Sequence, residues 1–487
     1  MSLSLLLDII HSRTLDQWSE RNKKAFEGLF GGANGRYQKV AEKAFAVRAP
    51  GMNSDTGVPF AAYIHPSNPN SGPYSGLSFV IFPVADSPCL IGLVVGTQGL
   101  APDEAILGRP GHGRKAQAIC GWLNEKFGQG DLVAWAKHDP TRTDISMPDL
   151  KAWSDYKSVF DRYGKEIYAV YRPRDNRSGT EEALVAFLDL LLEERGYQAM
   201  AGSRAIADKV RDAWFQHLLP SVDEEQIIRL LDHRRFVIIQ GPPGTGKTYL
   251  ATGILSREYA NNGKTIQFHP NSTYETFIGG LAPVESKEQF GFRFEPRPGF
   301  LMEAATEALK EPSRKYLLHI DEINRADLGK ILGEAIFLLE STDKSRTITL
   351  AYDFGPPFHR QLYLPENLQI LGTMNSSDRS IAILDVAVRR RFAFLTLMPQ
   401  FSVIEKHSCK MMQEAFKELV NIFVEHAPDE AFTLMPGHSY FLQFDESLGK
   451  ESLIVNLAPL LEEYLAQGYV GGFAEPIRSY LQSISAL

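Results

Sequence analysis

Residues 236–248 read FVIIQGPPGTGKT. Four apolar residues, Phe236, Val237, Ile238 and Ile239, break into a loop of glycine and proline that ends in Lys-Thr. The spacing G-x-x-x-x-G-K-[ST] is met by Gly241, Gly246, Lys247 and Thr248, with Pro242, Pro243, Gly244 and Thr245 in the loop. Glycines let backbone N–H groups curl around phosphate oxygens, and the first N–H groups of the next helix face the same anion. In this pattern Lys247 reaches the β- and γ-phosphates and the Thr248 hydroxyl ligates Mg²⁺. A glycine-rich turn with a chance Lys-Thr would not need an apolar strand before it and an apolar helix, Tyr249–Tyr259, after it.

The second half of such a site lies further on. Tyr316–Ile320 is an apolar strand that ends in Asp321-Glu322. Asp321 is expected to hold Mg²⁺ through water, and Glu322 to activate the attacking water. The bland alternative is an acidic helix cap. Leu368–Met374 forms another strand, and Asn375 at its tip is placed to orient the water. After Asp385 come Arg389, Arg390 and Arg391 at a helix end. They are either a solvated corner or the source of an arginine that reaches a neighbouring subunit's γ-phosphate.

The 487 residues exceed one core, so two or three domains are expected. A composition of 44% hydrophobic and 23% charged residues suits a soluble protein, and a net charge of −8 gives no bulk attraction to nucleic acid. Cys89, Cys120 and Cys409 lie far apart with no C-x-x-C, which points to a reducing compartment and away from zinc. The opening MSLSLLLDIIHSRTLDQW lacks a basic start and a cleavage site, so it reads as an amphipathic helix. No apolar run of about 18 residues occurs. A cytoplasmic protein without membrane attachment is expected.

Residues 1–200 read as α+β. Helices fill 1–45, a short strand spans Phe60–His65, and Leu77–Val84 with Cys89–Val95 make a hairpin. The stretch Gly108–Arg114 carries Arg109, His112 and Arg114, followed by Lys115, ahead of a helix at Ala116–Phe127. It is a solvated turn or a phosphate-holding loop. Arg172, Arg174 and Arg177 follow the strand Ile167–Tyr171, and a helix with a partial capping box at Thr180 runs to Arg195. A metal-dependent nuclease needs clustered acids with a lysine. Asp131–Trp135 and Glu166–Tyr171 carry no such set, and His112 and His138 stand alone. Any DNA cutting is therefore expected from a separate subunit.

Three longer stretches carry a family resemblance. DEINRADLGKILGEAIFLLE (321–340), TMNSSDRSIAILDVAVRRRFAF (373–394) and PGHSYF (436–441) resemble McrB proteins, the AAA+ GTPase motors of modification-dependent restriction systems. The resemblance covers about residues 205–487. It implies an α/β AAA+ P-loop NTPase core over 201–399 and a small helical lid over 400–487, preceded by an α+β recognition domain over 1–200. It implies GTP, or else ATP, as substrate, with Mg²⁺ on Thr248 and Asp321 and with Glu322 as the base. Asn324 and Arg325 fall in the family's inter-subunit contact set. Asn375 and Asp378 fit its N-x-x-D signature, linked to guanine use. Arg390 and Arg391 fit its trans-acting fingers, with Arg389 a weaker candidate. A homo-hexameric ring, a McrC-like nuclease subunit and modified DNA bound through residues 1–200 complete the expectation. One departure stands out: Asn375-Ser376-Ser377-Asp378 replaces the commoner Asn-Thr-Ala-Asp, which puts a hydroxyl in an apolar slot. The PGHSYF loop either caps a helix or touches nucleotide. The rival class is a MoxR-type, ATP-driven remodelling chaperone. A third, a nucleotide-gated scaffold with negligible turnover, is disfavoured by the intact Glu322.

Overall fold

The structure, a computed structural model, describes residues 3–50, 57–142, 144–146, 151–219, 222–285, 291–340, 345–376 and 384–486. The chain divides into two compact units, Met1–Leu219 with Ile422–Pro428, and Pro220–Asn421 with Asp429–Leu487. Among the described residues no helix is long and apolar enough to cross a membrane.

The first unit is built on a six-stranded antiparallel sheet. Its order is Ala46–Arg48, Ala61–Ile64, Leu77–Phe82, Leu90–Val95, Ile167–Tyr171, Ala134–Ala136. The two hairpin strands are buried at every residue, which needs cover on both faces. Val80 and Phe82 pack with Trp153, Tyr156 and Val159 on one face, and alternation sends Phe79 and Ile81 to the other. Arg36 and Tyr37 both donate to the Asp189 carboxylate, Arg36 Nε at 2.9 Å and the Tyr37 hydroxyl at 2.5 Å. This buried triad ties the segment after the second helix to Arg177–Glu193, and no sequence pattern announced it.

The basic segments differ from expectation. Gly108–Arg114 is not a loop ahead of the helix: the helix runs Pro110–Phe127, with Pro110 in its first turn, where a missing N–H costs nothing. Arg109 and Lys115 both pair with Glu194, whose side chain is 2% exposed. Burial alone would push the Glu194 carboxyl up, but His112 and Lys115 outweigh it and hold it at about 2. Two of the basic residues in that stretch, Arg109 and Lys115, thus share an acidic partner within the protein. Arg174 likewise pairs with Asp131, and Arg177 with Asp8. The helix after them is capped by Asn176, which accepts from Ser178 N at 3.0 Å, so Thr180 lies buried inside it.

The second unit holds a five-stranded parallel sheet. The order is Ala393–Thr396, Phe236–Gly241, Leu368–Asn375, Tyr316–Asp321, Gly263–Gln267. Parallel strands with both faces covered read as continuous apolar runs. Phe236 and Ile238 accordingly enter one core cluster, with Leu301 and Ile331, while Val237 and Ile239 enter another, with Ile227 and Ile254. Asp223 and Gln226 form a full capping box at the start of the helix Glu224–Arg234. Two local features of this unit are set by proline. The strand Phe292–Pro298, with Pro296 and Pro298 in it, pairs antiparallel with Gly279–Glu285. A two-stranded ribbon has open edges, so prolines without N–H cost little there. The helical stretch from Glu446 to Ala466 is interrupted at Leu453–Leu457 by a wider turn of π type. Pro459 lies just beyond it and cannot donate back along the helix.

Candidate nucleotide-binding site

Strand register assembles the site. Asn375 pairs with Gly241, and Ile320 pairs with Gly372, so Asp321 is level with Thr373 and the carboxyl ends of three adjacent strands lie within two residues of one another. Those tips carry the phosphate loop, Asn375 and Asp321-Glu322. A crevice beyond the carboxyl ends of parallel strands is where such sheets bind ligands.

The loop is preformed. Gly246 has φ +79°, a left-handed conformation that suits glycine, and the helix Lys247–Arg257 starts at the next residue. Thr245 is buried, and its hydroxyl donates to Pro242 O at 3.0 Å, closing the loop on itself. Lys247 is 6% exposed, and its Nζ donates to Gly241 O at 3.0 Å and Pro242 O at 2.7 Å. Burial lowers its pKa to about 8, against the opposing pull of Glu322 and Asp321.

The expected metal ligands come together. Asp321 Oδ1 accepts from the Thr248 hydroxyl at 2.8 Å and from the Thr373 hydroxyl at 2.5 Å. A hydroxyl and a carboxylate in contact beside a phosphate cradle are the hard oxygen donors that Mg²⁺ takes. Thr373 is a functional candidate that the sequence reading did not single out. Its only signal was its place two residues before Asn375 on the neighbouring strand.

Glu322 is held in a strained pose. Its φ is +52°, a left-handed value that costs a non-glycine residue about 1–2 kcal/mol. Asn375 Nδ2 donates to its Oε1 at 2.6 Å, and Arg325 Nε lies 3.5 Å from its Oε2. Burial raises its pKa, with the Arg325 charge opposing. A carboxylate shifted towards neutrality is closer to matching the proton it must take. Asn324 Nδ2 donates to Asn375 O at 3.2 Å, so the Asp321–Arg325 turn and the Asn375 strand tip are fastened twice.

The arginines are not gathered with these groups. Arg391 Nη1 donates to Ala387 O at 2.9 Å, within its own helix Val386–Arg391. Arg389 lies over the Phe394 ring, 5.6 Å from its centroid. Arg390 is exposed. Among the described residues no hydrogen bond or ion pair joins any of the three to Lys247, Asp321 or Glu322. Asp378 lies outside the described residues. The PGHSYF segment does approach the site: Gly437 N donates to Pro243 O and Ser439 N to Gly244 O, each at 2.9 Å.

Residues 236–392 match the AAA domain of the dynein-related subfamily. The EcoKMcrB subunit of a type IV methyl-directed restriction enzyme, from Escherichia coli K12, is 32% identical over 280 residues, 52% of this chain and 59% of that protein. Component YdiS of the type II restriction enzyme BsuMI, from Bacillus subtilis 168, is 31% identical over 201 residues, 34% of this chain and 58% of that one. The chain thus spans under two thirds of the length of these relatives. Residues 236–392 form an AAA+ domain on a mixed α/β fold with a parallel sheet. Over the matched segment the chain is McrB-like.

The Lys247 environment sets a pH dependence. A polyphosphate beside the ammonium favours its charged form, so the bound pKa exceeds the free value of about 8. Above that pH, binding must take up a proton, and affinity falls by up to about tenfold per pH unit. Titration of a non-hydrolysable GTP analogue at pH 7 and pH 9 should show weakening in the natural protein and a smaller change in Lys247→Arg, whose charge is fixed. Equal slopes in both would contradict this assignment.

Proposed function

We propose that this chain hydrolyses a nucleoside triphosphate, GTP in preference to ATP, as the motor and recognition subunit of a McrB-like, modification-dependent DNA restriction complex. The observation that carries the proposal is the convergence of Lys247, Thr248, Asp321, Glu322 and Asn375 at the carboxyl ends of three adjacent strands. In the reaction, backbone N–H groups of Gly244–Thr248 and the Lys247 ammonium hold the β- and γ-phosphates. Thr248 and Asp321 hold Mg²⁺, which supplies charge neutralisation at the phosphate oxygens. Thr373 keeps the Asp321 carboxylate turned to that position. Glu322 accepts a proton from the attacking water, and Asn375 fixes the carboxylate through Oε1.

Charge spreading onto the γ-phosphate calls for a further cation, and Arg390 is the exposed candidate, with Arg391 beside it. Supplied by a neighbouring copy, it makes hydrolysis depend on a ring, which we take as a hexamer. Asn375 with Asp378 fits the signature for guanine use. The nuclease activity belongs to a McrC-like partner, and residues 1–200 are the part we assign to modified DNA. A MoxR-type remodeller would use the same nucleotide site. The names of two relatives as restriction components favour the first reading.

Steady-state kinetics test the chemistry. The kcat/KM for GTP should exceed that for ATP by about 100-fold or more, as in sites that hydrogen-bond a substrate edge. Glu322→Gln should retain nucleotide binding and lose about 100-fold or more in kcat. Equal kcat/KM for the two nucleotides would remove the guanine assignment, and near-normal turnover in the variant would remove Glu322 as base. Incubation with methylated plasmid, Mg²⁺ and GTP should leave the DNA intact until a nuclease subunit is added. Cutting by this chain alone would overturn the division of labour.

A further inference from the structure

The lid segment Pro436–Tyr440 lies against the phosphate loop with no spare room. A Cβ on Gly437 would come 2.0 Å from the carbonyl carbon of Gly244. A Cβ on Gly244 would come 2.5 Å from Ser439 Oγ and 2.8 Å from the Tyr440 ring. The two backbone bonds from Gly437 and Ser439 to Pro243 O and Gly244 O fix the register of this contact. Between those two residues sits His438, 8% exposed.

The ring has a defined polarity. Gln400 N donates to His438 Nδ1 at 3.2 Å, so Nδ1 is the acceptor and the ring proton of the neutral form sits on Nε2. Nε2 lies 3.6 Å from the place a Cβ would take on Gly246. Gly246 is the N-cap of the helix Lys247–Arg257. Among the described residues no hydrogen bond uses Nε2. Burial lowers the His438 pKa to about 4, so at neutral pH the ring acts as a neutral donor.

We propose that His438 Nε2–H donates to an oxygen of the phosphate–sugar chain of a nucleotide seated at Gly246, making His438 the lid's own substrate contact. The proposal rests on the reading of the phosphate loop as a nucleotide site and adds a recognising group from a different part of the unit. The contact ties lid to loop through the ligand. It forms in the bound ground state and persists in the transition state, so its loss raises KM and Kd with little change in kcat.

Two isosteres separate this role from a structural one. In His438→Gln the side-chain amide takes the Nε2 position and keeps a donor. In His438→Asn the amide oxygen takes the Nδ1 position and keeps only the bond to Gln400. The probe is a fluorescent, non-hydrolysable GTP analogue, titrated into the full chain, with kcat measured on GTP and folding checked by thermal melting. His438→Ala and His438→Asn should bind about tenfold more weakly, the loss expected for a neutral donor to a charged group. Their kcat at saturation should stay within about twofold, and His438→Gln should bind within about threefold of the natural protein. Restored affinity in His438→Asn but not in His438→Gln would overturn the proposal in favour of a purely positional role. So would unchanged affinity in His438→Ala. If the natural protein binds no nucleotide, or if Lys247→Ala binds as well as it does, the nucleotide site itself is misassigned. That failure is distinct from binding that depends on Lys247 but ignores His438.

Discussion

Three adjacent parallel strands, held in one register at their carboxyl ends, set the chemistry of the second unit. The pairing of Asn375 with Gly241 and of Ile320 with Gly372 brings a loop of donors, a pair of acids and an amide within hydrogen-bond reach. A slip of one residue in either pairing would turn the side chains of a whole strand to the opposite face. The burial of Phe236, Ile238, Leu318 and Ile370 on one face and of Val237, Ile239, Leu317 and Leu371 on the other forbids that slip. Packing on both faces of the sheet is therefore what makes the site precise.

The polar groups of the site bond one another. Lys247 spends its donors on carbonyls of its own loop, Asp321 takes hydroxyls from Thr248 and Thr373, and Glu322 is clasped by Asn375 with Arg325 nearby. The Thr373 and Asn375 contacts orient the two carboxylates, and the Lys247 and Thr248 groups are the ones that phosphate and Mg²⁺ would engage. Such internal bonds satisfy buried polar groups that would otherwise carry a desolvation cost. The left-handed backbone at Glu322 fits the same picture, since strain of this kind persists where surrounding contacts over-determine it.

Much of this was legible in the sequence because phosphate binding and buried parallel strands both leave local signals. The strand before Gly241, the helix after Lys247 and the acids after Ile320 each follow from a few consecutive residues. What was not legible depends on contacts between distant residues. Thr373 became functional only through the strand beside it, and the Arg36–Asp189 pair links positions 153 apart. The basic run at Arg109–Lys115 suggested an anion site because its counter-ion, Glu194, lies 79 residues beyond Lys115. The PGHSYF segment could not be placed from sequence, because its contact is with loop carbonyls almost two hundred positions away.

The central claim is that this site is chemically complete only when a second copy lends Arg390 or Arg391. Mixing two inactive proteins tests it most directly. The double variant Arg390→Ala, Arg391→Ala carries a good base and no finger, and Glu322→Gln carries good fingers and no base. Each alone should bind nucleotide and hydrolyse almost none. Mixed under conditions where subunits exchange, some interfaces pair an intact Glu322 with an intact arginine, and GTP hydrolysis should reappear and peak near equal proportions. No recovery at any ratio, with subunit exchange demonstrated, would contradict the account.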